Sequence, residues 1–398
     1  MQSTSWRCLK VLQTPHFVCA VALLEPRGAP GASAHGQIGP GARSLVVFKQ
    51  GTRSDFHESD SYALPNMTET TLYPLRFKPI YQYRSWGGRR LAEFLSVRLP
   101  GDDPIGEAWL LSDRDDNASV VADGPLEGNT ISQLLRQFPE QMLGNLAVHF
   151  SRFPLLMKFL DVSKTLSVQV HPSDDYPELI PAGNTGKTEG WVVLEAGREA
   201  RVFAGLKPGT SETVLRRDVA HGTVVERLNS FRPKPGDGVL IPAGSVHSLC
   251  DVVTFEVQQN SDVTFRLFDW NHVDPRTGRT RPLQVEQAMT CIDFARGAIE
   301  ALTPRVEQAT PVLREKVIQC DKFGVTRISG QMSFVVGAAQ TPRVLVGLAG
   351  RGELEHAGAN YAFAKGEVLL LPAVVGACTF HPHGLVRLLE VSLPAVGS

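Results

Sequence analysis

Polar side chains alternate with apolar ones in a short stretch that could line a binding site. In Ser167-Val-Gln169-Val-His171, the two-residue period of a β-strand places Ser167, Gln169 and His171 on one face and the two valines on the other. Three polar groups on one face indicate that this face lines a cavity. Because imidazole nitrogens and amide oxygens both bind metal ions, the pattern favours a metal site.

Two further segments supply side chains of the same kind. Lys187 and Glu189 share a strand face, and His247 follows a Pro-Ala-Gly turn. Each piece alone has an ordinary explanation, since a single strand histidine is usually hydrogen-bonded and a Lys-x-Glu face is usually solvated. Together, His171, Glu189 and His247 predict a zinc site, with Gln169 as a further oxygen ligand and water completing the shell.

A fourth segment carries acids and one arginine. Glu256 and Gln258 share a face, and after a Gln-Asn-Ser turn Asp262 and Arg266 alternate with apolar residues. Bulky apolar neighbours indicate that Arg266 faces a cavity. A structural ion pair between Arg266 and an aspartate is the alternative that these residues leave open.

The elements that hold these residues are short strands separated by Gly, Pro, Asn and Asp. Strand-like segments cover 165–171, 190–194, 238–241, 252–258 and 263–268, and the chain has 36 glycines and 27 prolines. We therefore predict a mainly β fold with a few short helices. One helix is predicted to begin after Thr130, its N-cap.

A short repeat extends this interpretation. Gly236-Asp-Gly-Val-Leu-Ile-Pro-Ala recurs as Gly366-Glu-Val-Leu-Leu-Leu-Pro-Ala, with the same Gly-to-Pro spacing. Five residues past the proline, the first copy has His247 and the second has Ala377. The repeat predicts two jelly-roll modules of which only the first binds metal. Chance similarity between two strand-turn units is the alternative.

The chain divides into three parts by composition. Residues 1–66 are predicted to be a disordered extension, because 26–43 are rich in Gly, Ala and Pro. The apolar run at 17–24 resembles the hydrophobic part of a signal peptide. Gln13, Pro15 and His16 interrupt the sequence leading up to it, however, which disfavours that interpretation. Either Met67 is the true start, or residues 1–66 are a dispensable tail. We expect a metal-binding domain with a helical segment at 67–300 and a second barrel without ligands at 301–398.

Charge, hydropathy and cysteine content limit the classes of protein to which the chain can belong. With 40 Lys and Arg against 41 Asp and Glu, the net charge is −1, and the basic excess of nucleic-acid binders is missing from the sequence. No apolar run reaches the eighteen or so residues that span a bilayer. The six cysteines form no Cys-x-x-Cys pair, which favours a reducing cytoplasm.

These stretches together resemble the type I mannose-6-phosphate isomerases of the cupin superfamily, in their shorter bacterial form. The resemblance covers about 73–294 and rests on 73–79, Trp86-Gly-Gly, 167–172, 186–189, 241–247 and 256–270. Two local departures, Leu249-Cys-Asp and Asn271-His, fall on no proposed ligand. The resemblance implies two cupin-type jelly-roll barrels and one Zn²⁺ per chain.

The resemblance also implies roles for individual residues. Gln169, His171, Glu189 and His247 would ligate zinc, Ser167 and Lys187 would lie near the substrate phosphate, and the catalytic residues would be Arg266, Glu256 and Asp262. The implied reaction interconverts mannose 6-phosphate and fructose 6-phosphate through an enediol, in a cytoplasmic monomer or weak homodimer. The identity of the base stays open.

Two other functions fit the same barrel. A metal-dependent dioxygenase would replace zinc with iron, although the phosphate-type residues Ser167 and Lys187 disfavour it. A non-catalytic sugar-phosphate-binding protein would keep the pocket without turnover, although the intact Arg266, Glu256 and Asp262 disfavour that.

Deleting residues 1–66 should leave thermal stability and turnover nearly unchanged, because that segment has too few apolar residues to belong to a core. Calorimetry and a turnover assay on the shortened chain measure both. A large fall in the melting temperature would show that the extension packs on the folded part.

Overall fold

The computed structural model describes residues 7–14, 17–23 and 72–393. In the first unit, Met1–Thr71, strands β1 (Arg7–Thr14) and β2 (Phe17–Leu23) pair antiparallel. The predicted disorder at 26–43 lies outside the described residues, and the assignment of 1–66 as an extension stays a prediction. The second unit begins at Leu72 and contains everything described below.

The first barrel is a curled nine-stranded sheet. Its central order is β10-β8-β11-β6-β4-β5, with β7 joining β11 to β12 and β9 pairing with β8. The predicted strand at 238–241 is confirmed, whereas the one at 190–194 is part of a much longer strand. The nine are β4 (Ile80–Gly88), β5 (Ile105–Leu111), β6 (Leu155–Val162), β7 (Val168–Val170), β8 (Glu189–Leu206), β9 (Leu228–Phe231), β10 (Gly238–Ile241), β11 (His247–Gln259) and β12 (Phe265–Phe268).

Two central strands show how this sheet separates its faces. On β11, Phe255 packs in the largest apolar cluster, and on β6 its register partner Phe159 does the same. The next pair in register, Glu256 and Lys158, points to the opposite face because side chains alternate along a strand. One face of the sheet is therefore apolar core, and the other lines a polar interior.

The second barrel pairs a seven-stranded sheet with a four-stranded one. The larger has the order β13-β14-β15-β22-β17-β20-β3, and the smaller β16-β21-β18-β19. Apolar side chains such as Leu345, Phe363 and Phe380 fill the space between them. The strands are β3 (Leu75–Arg76), β13 (Arg305–Gln308), β14 (Leu313–Gln319), β15 (Gly324–Gly330), β16 (Phe334–Val336), β17 (Arg343–Ala349), β18 (Arg351–His356), β19 (Ala359–Ala364), β20 (Val368–Leu371), β21 (Cys378–Pro382) and β22 (Val386–Ser392).

The repeated sequence forms the same local structure in both barrels. Gly236 and Gly366 adopt positive φ angles of 94° and 84°, a conformation that favours glycine, and each precedes a four-residue strand, β10 or β20. The strand that follows begins at His247 in the first barrel and at Cys378 in the second. The prediction of a mainly β fold with two jelly-roll barrels is confirmed.

Five short α-helices connect the strands of residues 72–393. The predicted N-cap is confirmed, since Thr130 accepts a hydrogen bond from the Gln133 backbone and the Gln133 side chain bonds back to the Thr130 amide. The helices are α1 (Leu91–Leu95), α2 (Ile131–Gln137), α3 (Pro139–Leu143), α4 (Glu212–His221) and α5 (Val285–Cys291). Within the described ranges, no helix is long and apolar enough to cross a membrane.

The two barrels are joined by a common apolar core and by one strand pairing. The largest apolar cluster combines Phe159 and Phe255 of the first barrel with Phe323 and Val391 of the second. In addition, β3, which precedes the first barrel in the chain, pairs with β20 at the edge of the second. The predicted division at 300 therefore separates two sheets that are joined by common packing, and it stays a prediction.

Candidate active site

Pairing of three strands brings the predicted metal ligands together. Gln169 on β7 lies opposite both His247 at the start of β11 and Arg266 on β12. Glu189 at the start of β8 lies opposite Gln258 near the end of β11. The register therefore gathers residues that are far apart in the chain, as the alternating strand pattern predicts.

His171, Glu189 and His247 are buried, and each offers one ligand atom within 4.8 Å of the others. His171 Nδ1 donates to the Val263 carbonyl at 2.7 Å, and His247 Nδ1 donates to the Ser245 carbonyl at 2.9 Å. Since a carbonyl can only accept, each Nδ1 carries a proton, and in the neutral form of both rings the Nε2 lone pairs face the site. Fixing the ring tautomer through the second nitrogen is typical of metal-binding histidines.

The contacts of Glu189 fit a cation at this position. Glu189 Oε1 lies 3.1 Å from His247 Nε2, and both atoms are acceptors in this tautomer. Among residues 72–393, Glu189 Oε1 is also one of the few buried polar atoms with no hydrogen-bond partner. Two buried acceptors this close repel each other unless a cation lies between them. The donor set therefore fits a metal ion.

Lys187 supplies a positive charge beside Glu189 and His171. Its Nζ donates to Glu189 Oε2 at 2.5 Å and to His171 Nε2 at 2.9 Å. Burial lowers the pKa of His171 to about 3, and the Lys187 ammonium acts in the same direction, so the imidazole is neutral at pH 7. Burial alone would raise the pKa of Glu189, but the Lys187 ammonium holds it well below its usual range.

Gln169 is close enough to join the ligands but presents its nitrogen to them. Its Nε2 lies 3.2 Å from His247 Nε2, while its Oε1 accepts a hydrogen bond from Ser167 Oγ at 3.0 Å. The predicted oxygen ligand therefore requires the amide to rotate by half a turn, which exchanges its oxygen and nitrogen. Ser167 and Gln169 do share a face, as the alternation predicts.

A cavity of about 290 Å³ opens beside the metal-ligand cluster. It is lined by six of the nine residues singled out in the sequence and by others that sequence reasoning missed. The predicted residues are Ser167, Gln169, Lys187, Glu256, Asp262 and Arg266, and the charged residues that were missed are Arg84, Glu107, Lys158 and Arg281.

Arg266 reaches the cavity without an acidic partner. Over residues 72–393 it forms no salt bridge, and its Nε is buried with no hydrogen-bond partner. The nearby carboxylate of Asp269 is held instead by Arg281, whose Nε donates to Asp269 Oδ2 at 2.8 Å. Burial and the neighbouring Arg281 lower the pKa of Arg266. The ion-pair alternative left open by the sequence is therefore not what the structure contains.

Three of the missed residues, Arg84, Glu107 and Lys158, form a largely buried network on β4, β5 and β6. Arg84 donates to both oxygens of Glu107, at 2.8 and 3.1 Å, and Trp109 Nε1 donates to Glu107 Oε2 at 2.6 Å. Lys158 Nζ lies 3.7 Å from Glu107 and 3.3 Å from Glu256. A single lysine in the apolar sequence of β6 gave little signal, and only the register shows that it points inward.

This network sets the charge state of the cavity wall. Burial alone would lower the pKa of Lys158, but Glu107 and Glu256 raise it, so Lys158 stays protonated. Burial opposes ionisation of Glu107, yet Lys158 and Arg84 bring its pKa to about 2. By contrast, burial raises the pKa of Glu256, with Glu189 adding to the effect and Lys158 opposing it. Two carboxyl groups in one cavity thus have pKa values displaced in opposite directions.

The chain is similar to known proteins in both sequence and structure. A family model for the catalytic domain of type I phosphomannose isomerase matches residues 75–186, which include Ser167, Gln169 and His171. The probable mannose-6-phosphate isomerase GmuF of Bacillus subtilis is 33% identical over 322 residues, covering 78% of this chain and 99% of that protein. The mannose-6-phosphate isomerase ManA of the same organism is 34% identical over 310 residues, covering 77% and 95%.

Two solved structures share the fold. The mannose 6-phosphate isomerase from Bacillus subtilis superposes with a TM-score of 0.74 at 27% identity, covering 80% of this chain and 99% of that one. A putative mannosephosphate isomerase from Archaeoglobus fulgidus has a TM-score of 0.65 at 20% identity, covering 81% and 98%, and at that identity the likeness concerns the fold alone.

Replacing Glu107 by Gln should lower the free energy of unfolding by on the order of 3 kcal/mol, because it leaves the buried Lys158 without its main counter-charge. Chemical denaturation measures the loss. The matched control is Glu127→Gln, which breaks an exposed pair with Lys78 and should cost less than about 1 kcal/mol. Equal effects of the two variants would contradict the network described here.

Proposed function

Because the chain belongs to the type I phosphomannose isomerase family, we propose that it interconverts mannose 6-phosphate and fructose 6-phosphate in the cavity beside His171, Glu189 and His247. The observation that carries this proposal is that two buried imidazoles and a buried carboxylate lie beside a cavity whose carboxyl groups have displaced pKa values. That combination suits metal-assisted proton transfer next to a carbonyl.

The proposed metal is one Zn²⁺ per chain. His171, Glu189 and His247 would hold it, since two imidazoles and one carboxylate form a common catalytic zinc set that leaves positions open. Gln169 would join them after rotation of its amide. When bound, the metal polarises the carbonyl of the open-chain sugar and stabilises negative charge on its oxygens.

Glu256 is the proposed base for proton transfer between C1 and C2. Its Oε2 accepts from Trp191 Nε1 at 2.9 Å and its Oε1 lies 3.3 Å from Lys158 Nζ, so both oxygens are held at the cavity wall. A raised pKa makes a carboxylate a stronger base, and an efficient general base has a pKa close to the working pH. Lys158 is protonated and Arg266 is a guanidinium, so neither is suited to removing a proton.

Asp262 fits a supporting role better than the role of base. Its side chain is 43% exposed, and its Oδ1 lies 3.7 Å from Lys158 Nζ. Lys158 thus lies between Asp262 and Glu256 and can stabilise whichever carboxylate is ionised. Arg266, with no acid bound to it within 72–393, is free to stabilise the negative charge that develops on the substrate.

The phosphate is proposed to lie against Ser167 and Lys187, which line the cavity. The net positive charge of the cavity lining favours binding of a dianionic substrate, because the cationic side chains outnumber the acidic ones. The cations are Arg84, Lys158, Lys187, Arg266 and Arg281, and the acids are Glu107, Glu256 and Asp262. Binding the phosphate away from the reacting carbons would orient C1 and C2.

The purified chain should contain about one zinc and should form fructose 6-phosphate from mannose 6-phosphate in a coupled assay, and a chelator should abolish turnover. His247→Ala should lose the metal and lower kcat/KM by more than about a hundredfold. Elemental analysis and the assay measure both.

The control for that experiment is His381→Ala, which removes a half-exposed histidine of the second barrel and should change neither metal content nor rate. Iron in place of zinc would favour the dioxygenase alternative. A full complement of zinc without turnover would favour a sugar-phosphate-binding protein. Full zinc in His247→Ala would overturn the ligand assignment.

Glu256→Gln should lower kcat by about a hundredfold to ten-thousandfold and should remove the acidic limb of the pH profile. In the parent enzyme kcat/KM should fall as the pH drops through the pKa of Glu256, because the base must be deprotonated. This fall in kcat/KM should occur at a pH above the ordinary pKa of glutamate, since burial raises the pKa of Glu256. Asp262→Asn is the matched control and should keep the limb. An unchanged limb in Glu256→Gln would rule out Glu256 as the base.

A further inference from the structure

The second barrel touches the segment that carries Lys187 and Glu189 through the hairpin formed by β14 and β15. The turn of this hairpin holds Lys322 and Phe323. A methyl group placed on Gly190 would lie 3.0 Å from both Ile318 Cδ1 and Phe323 Cε2, so these side chains press on the backbone next to Glu189. Phe323 is fully buried, which makes this contact a fixed part of the core.

A polar contact from the same turn reaches the other side of the segment. Lys322 Nζ lies 3.2 Å from Asp174 Oδ2. Asp174 Oδ1 accepts from the Gly186 backbone amide at 2.7 Å, and Asp174 Oδ2 accepts from Gln259 Nε2 at 3.0 Å. Asp174 therefore connects the second barrel to the residue that precedes Lys187.

Gln259 continues this connection to the residue between Lys187 and Glu189. Its side-chain Oε1 accepts from the Thr188 backbone N–H at 3.0 Å, and its backbone N–H donates to the Thr188 carbonyl at 3.1 Å. The backbones also touch directly, since a methyl group on Gly186 would lie 2.4 Å from the Asp174 nitrogen. Both backbone neighbours of Lys187 are thus fixed by groups that Lys322 and Asp174 hold in place.

We propose that Lys322 is a positioning residue, through which the second barrel holds Lys187 and Glu189 in register with His171. Because Asp174 is 46% exposed, the ion pair itself adds little to global stability. Its effect is local, on the placement of two side chains whose geometry the site depends on. The consequence for turnover rests on the proposed function, whereas the consequence for the backbone of 186–188 does not.

The test compares Lys322→Met with Lys322→Arg and Asp321→Asn in the full chain. Asp321 lies 3.2 Å from Lys322 Nζ, the same distance as Asp174, but its side chain is 78% exposed. Amide hydrogen exchange of a peptide covering 184–190 is measured first, followed by kcat and KM for mannose 6-phosphate and by thermal melting.

Lys322→Met should speed exchange in 184–190 by about tenfold, because the acceptors of the Gly186 and Thr188 amides lose their anchor. It should also lower kcat/KM by about tenfold, since a small misplacement of Glu189 near the reacting groups costs rate and a misplaced Lys187 weakens the contact with the phosphate. Its melting temperature should stay near that of the parent, and Lys322→Arg and Asp321→Asn should behave like the parent.

Unchanged exchange in Lys322→Met would overturn the proposal, whatever the kinetics. A lower melting temperature with unchanged exchange in 184–190 would likewise show that Lys322 is only structural. If the parent chain lacks isomerase activity but exchange still responds to Lys322→Met, the proposed function fails and the positioning role stands.

Discussion

The carboxylate of Glu189 is removed from water, and its charge determines the arrangement of the residues around it. A buried carboxylate is stable only when positive charge and hydrogen-bond donors surround it. Lys187 provides one such contact at 2.5 Å, and the proposed metal ion, held between Glu189 and the Nε2 atoms of His171 and His247, would supply further positive charge. Each of these groups comes from a different segment, so the pairing of β7, β8 and β11 must be correct before Glu189 can be buried.

The two barrels show how one backbone serves two purposes. Both contain the same glycine turn and four-residue strand, with Gly236 and Gly366 at positive φ. In the first barrel the interior contains Lys158, Glu256 and the metal-ligand cluster. In the second, apolar side chains such as Phe380 fill the interior, and Ala377 occupies the place of His247. Because its interior is apolar, the second barrel can form a packed core of its own, and it also packs against the first barrel.

Local pattern was enough to predict the metal-ligand strands but not the opposite wall. The alternation of Ser167, Gln169 and His171, and the repeat around Gly236, depend only on neighbours in the chain. Lys158 was not predicted because the sequence of its strand is typical of a buried apolar strand. Glu107 was not predicted because its partner Arg84 lies on another strand. The contact between Lys322 and Asp174 joins the two barrels, and no local pattern in the sequence signals such a contact. The orientation of the Gln169 amide likewise depends on Ser167 Oγ, a contact that alternation alone does not specify.

The pairing of β3 with β20 has a consequence for the order of folding. Arg76 and its partner Leu369 are separated by most of the chain, so the ribosome releases β3 long before its neighbour exists. Until β20 has been synthesised, the backbone groups of this two-residue strand lack the partners that they have in the folded protein. Contacts between residues so far apart in the chain slow folding, so the pairing of β3 with β20 is expected to form late. A chain interrupted before β20 would therefore lack the sheet contact that joins the start of the second unit to its second barrel, although it would already contain all of the metal-ligand residues.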